Sequence, residues 1–135
     1  MAKILVIDDQ PNVRMLLALL LRQQGYDVVL AENGWEGLQL YRQEHPDVIL
    51  LDLNMPELDG VTVLTQIRSV DLKQPVIILT GDSAQETERQ VRALGVSEVI
   101  EKDSSIQLLV DTLKDILTTA TLAMGSSIVL ETLAS

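Results

Sequence analysis

The stretch Val48-Ile49-Leu50-Leu51-Asp52-Leu53-Asn54-Met55-Pro56-Glu57-Leu58-Asp59-Gly60, "VILLDLNMPELDG", decides the fold. Its first four residues are apolar throughout, as in a strand covered by helices on both faces. The run ends on a carboxylate. Pro56 then rules out continuation of the strand, and Asp59-Gly60 opens a helix. A carboxylate at the end of a buried strand costs free energy unless something pairs with it. The rest of the chain must supply that partner.

Similar short apolar runs recur on both sides of this stretch. Strands are expected over Lys3–Ile7, Asp27–Ala31, Asp47–Leu51, Pro75–Leu79 and Ser97–Glu101. Helical patterns separate them. Pro11 suits a first helical position, and Val13, Leu16, Leu17 and Leu20 recur at helical spacing until Gly25. Asn33 with Glu36, Ser83 with Glu86 and Ser104 with Gln107 read as capping pairs for the second, fourth and fifth helices. Val61, Leu64 and Ile67 carry the third helix, Gly95 ends the fourth, and Ile106, Leu109, Val110, Leu113 and Leu117 carry the fifth. Five βα units in a row imply an α/β fold with a doubly wound, five-stranded parallel sheet. Five strands fit the order 2-1-3-4-5 better than the six-stranded dinucleotide order, and Asp8-Asp9-Gln10-Pro11 stands where G-x-G-x-x-G would be.

Composition narrows the function. The chain has 135 residues, enough for one domain with a sizeable core. It holds 10 basic and 20 acidic residues, a net charge of −10, which argues against direct binding of nucleic acid. No cysteine is present, so disulfides, thiolate nucleophiles and cysteine metal sites are excluded, and a cytoplasmic protein is expected. No apolar run approaches the roughly 20 residues that span a bilayer, and the start "MAKILVIDD" does not resemble a secretory signal. His45 is the only histidine and precedes strand three, so neither a Ser-His-Asp triad nor a phosphorelay histidine is expected. Trp35, at the start of helix two, reads as a surface or packing residue.

In open α/β sheets the site lies outside the carboxyl ends of the strands. Those ends carry Asp8 and Asp9, Asp52, Thr80 and Lys102. Any one of them alone reads as a cap, a turn residue or a surface lysine, and Asp9 and Asp59 suit helix capping. Together, three carboxylates repel one another unless a cation joins them, and oxygen ligands suit a hard ion such as Mg²⁺. An ammonium and a hydroxyl beside them complete a site for a transferring phosphoryl group.

With Asp8-Asp9, "VILLD" running into "DLNMPELDG", Thr80-Gly81 and Lys102, the chain resembles the receiver domain of bacterial two-component response regulators over about residues 2–118. The resemblance implies a flavodoxin-like (βα)5 fold and supports the order 2-1-3-4-5. It implies that Asp52 accepts a phosphoryl group from a sensor histidine kinase or phosphotransfer protein. Asp9 and Asp52 would hold Mg²⁺ directly, Asp8 through water, and the Asn54 carbonyl as a further ligand. Lys102 and Thr80 would hold phosphoryl oxygens. The change would be read by an output protein on the face of helix four, strand five and helix five. The side chains of Asn54 and Asp82 would tune attack of water on the acyl phosphate. Such a domain modifies and resets itself but turns over no metabolite.

Three features depart from the family pattern. Val99 stands where an aromatic is usual, and Asp103 stands where a proline commonly follows the lysine through a cis bond. A cis bond without proline costs about 3–4 kcal/mol, so either a trans bond or a strained one is expected. Residues 119–135, "TATLAMGSSIVLETLAS", form an extension that is a continuation of helix five, a frayed tail or a linker stub. Leu122, Met124, Ile128, Val129, Leu130 and Leu133 could instead cover the helix-four and helix-five face or pair two chains as a homodimer. Two other functions compete with the switch. One is a pseudo-receiver that binds partners constitutively. The other is a Mg²⁺ phosphohydrolase, against which Asn54 occupies the place of its usual second acid.

Overall fold

The computed structural model describes residues 1–81 and 85–119. Five strands, β1 (Lys3–Ile7), β2 (Asp27–Ala31), β3 (Val48–Asp52), β4 (Val76–Thr80) and β5 (Glu98–Glu101), form one parallel sheet in the order β2-β1-β3-β4-β5. The helices α1 (Pro11–Gln23), α2 (Gly34–Glu44), α3 (Gly60–Val70) and α4 (Gln85–Ala93) alternate with them. The chain divides into two compact units, the first running from Met1 to Ser104. In the second, a fifth helix, α5, spans 106–119 and buries Leu109, Val110 and Leu113.

The central strands are buried on both faces, which accounts for their uninterrupted apolar runs. The main core joins Leu5, Ile7, Ile49, Leu51, Val76 and Ile78 of the sheet to Leu38, Leu64, Ile67 and Val91 of the helices. Strands three and four each run one residue later than the apolar pattern predicts, and strand five starts one residue later. The hydrogen-bond ladder is the reason. Asp52 pairs in register with Leu79, and Thr80 pairs with Glu101, so both polar residues are the last of their strands.

The capping expectations hold in part. The Asn33 carboxamide oxygen accepts from the Glu36 N–H at 2.8 Å, while the Glu36 carboxylate takes the Glu32 N–H at 3.2 Å. Asp59 caps α3 by accepting from the Thr62 N–H at 2.9 Å. Asp9 caps nothing: Gln10 is the N-cap of α1. Ser105, not Ser104, caps α5, accepting from the Leu108 N–H at 3.2 Å. Gly25 and Gly95 leave α1 and α4 with φ of 90° and 80°, left-handed values that glycine adopts without strain. The Ser83 cap, Asp82 and the apolar residues of 120–135 lie outside the described residues. Trp35 is 61% exposed, and His45 is exposed as the left-handed C-cap of α2. No peptide bond among the described residues is cis, so Lys102–Asp103 is trans.

Arg68 is a charged residue in the core that the periodicity did not single out. Its guanidinium donates to the carbonyls of Leu94, Asp71, Gln74 and Gly95 at 2.6, 3.0, 2.8 and 3.1 Å. One side chain therefore satisfies the loops that follow α3 and α4. Among the described residues no helix is long and apolar enough to cross a membrane.

The Asp59 cap gives a simple check on the loop between β3 and α3. Asp59→Ala is expected to cost about 1 kcal/mol, read as a lower thermal midpoint with unchanged helical content. An unchanged midpoint would show that the cap contributes nothing.

Candidate functional site

The site grows from the ends of four adjacent strands, β1, β3, β4 and β5. Asp8 continues β1 by donating its N–H to the Ala31 carbonyl at 3.1 Å, and Asp52 ends β3. The Lys102 N–H donates to the Thr80 carbonyl at 2.8 Å, which fixes the end of β4 beside the residue following β5. Asp8 and Asp52 are each 1% exposed and Thr80 is fully buried.

Asp8, Asp9 and Asp52 each offer a carboxylate oxygen, all within 4.8 Å of one another. The Lys102 ammonium lies 3.0 Å from Asp8 Oδ2 and 3.2 Å from Asp52 Oδ2. Asp52 Oδ1 accepts from the Asn54 N–H at 3.1 Å, and Asp8 Oδ1 accepts from the Gln10 N–H at 2.9 Å. The other oxygen of each carboxylate meets only the Lys102 ammonium among the described residues. Among the described residues, Asp8 Oδ2, Asp52 Oδ2 and Thr80 Oγ1 are buried without a well-aligned hydrogen bond. Buried polar atoms normally have partners, and here two buried carboxylate oxygens share one lysine while the Thr80 hydroxyl has none, which leaves capacity for a partner from outside.

Electrostatics agree. Burial, then repulsion from Asp8, push the Asp52 carboxyl up to about 6, against the opposing pull of the Asn54 N–H and Lys102. Burial pulls the Lys102 ammonium down, but hydrogen bonding to Asp8 and attraction to Asp52 outweigh it, so its net shift is upward. The lysine stays charged and only partly neutralises the acids. Carboxylate oxygens at this spacing, two of them sharing a single ammonium, fit a hard divalent cation.

The residues expected at the strand ends therefore come together, with the Asn54 N–H rather than its exposed side chain facing Asp52. Two further residues enter that the sequence did not single out. Gln10 Oε1 accepts from the Lys102 ammonium at 3.1 Å, and Arg14 donates to the Asp8 carbonyl at 2.7 Å. Gly60 packs behind Asp52, where a Cβ would collide with the Asp52 carbonyl oxygen and lie 2.7 Å from Leu53 Cα. Val99 is half-buried and packs against the core.

A family model described as the response regulator receiver domain matches residues 4–114. Sporulation initiation phosphotransferase F of Bacillus subtilis (strain 168) is 32% identical over 112 residues, covering 83% of this chain and 90% of that protein. Regulatory protein AtoC of Escherichia coli (strain K12) is 37% identical over 100 residues, covering 74% of this chain. The chain spans 22% of the length of that relative, which is a much longer protein. The solved structure of Vibrio cholerae chemotaxis protein CheY4 aligns with a TM-score of 0.80 at 30% identity, covering 86% of this chain and 98% of that one. By fold, sequence and family match, the chain belongs to the response regulator receiver domain family, the phosphoacceptor signalling domains of two-component systems.

Proposed function

We propose that Asp52 is the phosphoacceptor of a Mg²⁺-dependent switch in the cytoplasm, charged by a histidine kinase or phosphotransfer protein. The observation that carries this reading is the convergence of three carboxylate oxygens within 4.8 Å, with the Lys102 ammonium on Asp52 itself. An Asp52 carboxylate oxygen attacks phosphorus, the phosphorus–nitrogen bond of a phosphohistidine breaks, and its electron pair returns to the imidazole. Lys102 offsets charge on the phosphoryl oxygens, and the Asn54 N–H holds the carboxylate in place. Asp9 and Asp52, with Asp8 through water and the Asn54 carbonyl, would hold Mg²⁺, which would supply further charge neutralisation there. The buried Thr80 hydroxyl gains the partner it lacks, and its movement at the entry to α4 passes the signal to an output protein on α4 and β5. Val99 has no ring to follow it, so the output on β5 does not run through an aromatic rotamer. Hydrolysis of the acyl phosphate resets the domain.

The test is intact mass after incubation with Mg²⁺ and a small acyl phosphate, for wild type and Asp52→Ala. A labile gain of one phosphoryl group in wild type alone is expected. No adduct would leave a constitutive binding module, and steady phosphate release over many cycles would favour a hydrolase.

A further inference from the structure

We propose that Gln10 is a positioning residue: its amide oxygen receives the Lys102 ammonium when a divalent cation takes the carboxylate oxygens on which that ammonium sits. The inference rests on the metal-dependent reading above. The Lys102 ammonium contacts Asp8 Oδ2 at 3.0 Å and Asp52 Oδ2 at 3.2 Å. Both oxygens are buried and lack a well-aligned hydrogen bond, and both residues belong to the cluster of three carboxylates. A metal ion and an ammonium repel each other, so both cannot occupy these oxygens at full strength. The ammonium must shift when the metal arrives, and with three donors it needs somewhere to go.

Gln10 Oε1 is already in contact, accepting from Nζ at 3.1 Å. The backbone fixes this acceptor from both sides. The Gln10 N–H donates to Asp8 Oδ1 at 2.9 Å, and its carbonyl accepts from the Arg14 N–H at 3.0 Å. As the N-cap of α1, Gln10 makes no side-chain bond to the helix, so the amide reaches Lys102 instead. An amide accepts a hydrogen bond without adding a fourth negative charge. It therefore holds the lysine weakly enough to release it to a phosphoryl oxygen.

Calorimetric titration of the full chain with Mg²⁺ at neutral pH tests this. Gln10→Leu is expected to weaken Mg²⁺ binding roughly fivefold, about the worth of one ordinary hydrogen bond, because the ammonium depends on Gln10 most once the metal has taken its carboxylate partners. Gln10→Glu, which keeps an acceptor, should bind at least as tightly as wild type. Lys102→Met should bind more tightly, and in that background Gln10→Leu should change nothing. Because Gln10 is exposed, the metal-free thermal midpoint of Gln10→Leu should match wild type. Equal weakening with and without Lys102 would mean that Gln10 acts on Asp8 through the loop, and overturns the inference. So would tight Mg²⁺ binding that ignores Gln10 in both backgrounds, with the metal site itself left standing. A wild type that binds no Mg²⁺ would overturn the metal reading and this inference with it.

Discussion

Asp52→Asn is expected to take no phosphoryl group and to be more stable than wild type in metal-free buffer at pH 7.5. The first effect follows from losing the nucleophile. The second follows from the raised carboxyl, about 6 in the fold against an ordinary 3.8. The folded state favours the protonated acid, so the stability this group contributes is present below about pH 4 and is lost as pH rises through 6. Above that point wild type carries a buried charge that Lys102 only partly offsets. A rise of this size corresponds to about 3 kcal/mol at most, so a gain of roughly 2 kcal/mol is expected for the variant. The amide introduced at position 52 adds a donor beside Asp8 Oδ2, which among the described residues Lys102 alone now contacts. Denaturant unfolding at pH 7.5 and pH 4 checks the sign: the gap between variant and wild type should narrow as pH falls. Added Mg²⁺ should stabilise wild type more than the variant, because only wild type keeps all three carboxylates. A variant less stable than wild type at pH 7.5 would mean that Asp52 is a structural cap.

Gly60→Ala should be the most damaging of the single-methyl changes near the site. Alanine is the better helix residue by about 1 kcal/mol, so propensity alone predicts a gain. The added carbon, however, meets the carbonyl oxygen of Asp52 and the Leu53 Cα, which are backbone atoms. Rotamers cannot relieve such a clash, and overpacking of this kind costs roughly 1–3 kcal/mol or more. The clash therefore wins, with a net loss of about 2 kcal/mol in denaturant unfolding. The strain falls on the nucleophile's own peptide group, so Mg²⁺ binding should weaken as well. Stability and Mg²⁺ binding equal to wild type would show that the loop yields without disturbing Asp52.

The sheet was legible because strands buried on both faces need no alternation: "VILLD" and "VIILT" announce themselves. Their last residues were not, since Asp52 and Thr80 follow the hydrogen-bond ladder while the apolar pattern stops one residue earlier. The convergence of Asp8, Asp9, Asp52 and Lys102 could be read from strand order alone. Gln10 could not. A glutamine after two acids carries no periodic signal, and only folding brings it to a lysine 92 positions away. Arg68 left a faint trace, falling seven residues after Val61 on the apolar stripe of α3, but its four carbonyl partners come from loops that no pattern joins. Glu57, with φ of 68°, occupies a left-handed turn position where glycine or asparagine would be expected.

The central claim is chemical: Asp52, among three clustered carboxylates, carries the phosphoryl group. Borohydride reduces an aspartyl phosphate to homoserine, which peptide mapping places at a single position. Wild-type protein treated with Mg²⁺ and a small acyl phosphate, then reduced and digested, should show homoserine at position 52 alone, and none when Mg²⁺ is removed. Homoserine at position 8 or 9 with Asp52 intact, or no homoserine at all, would contradict it.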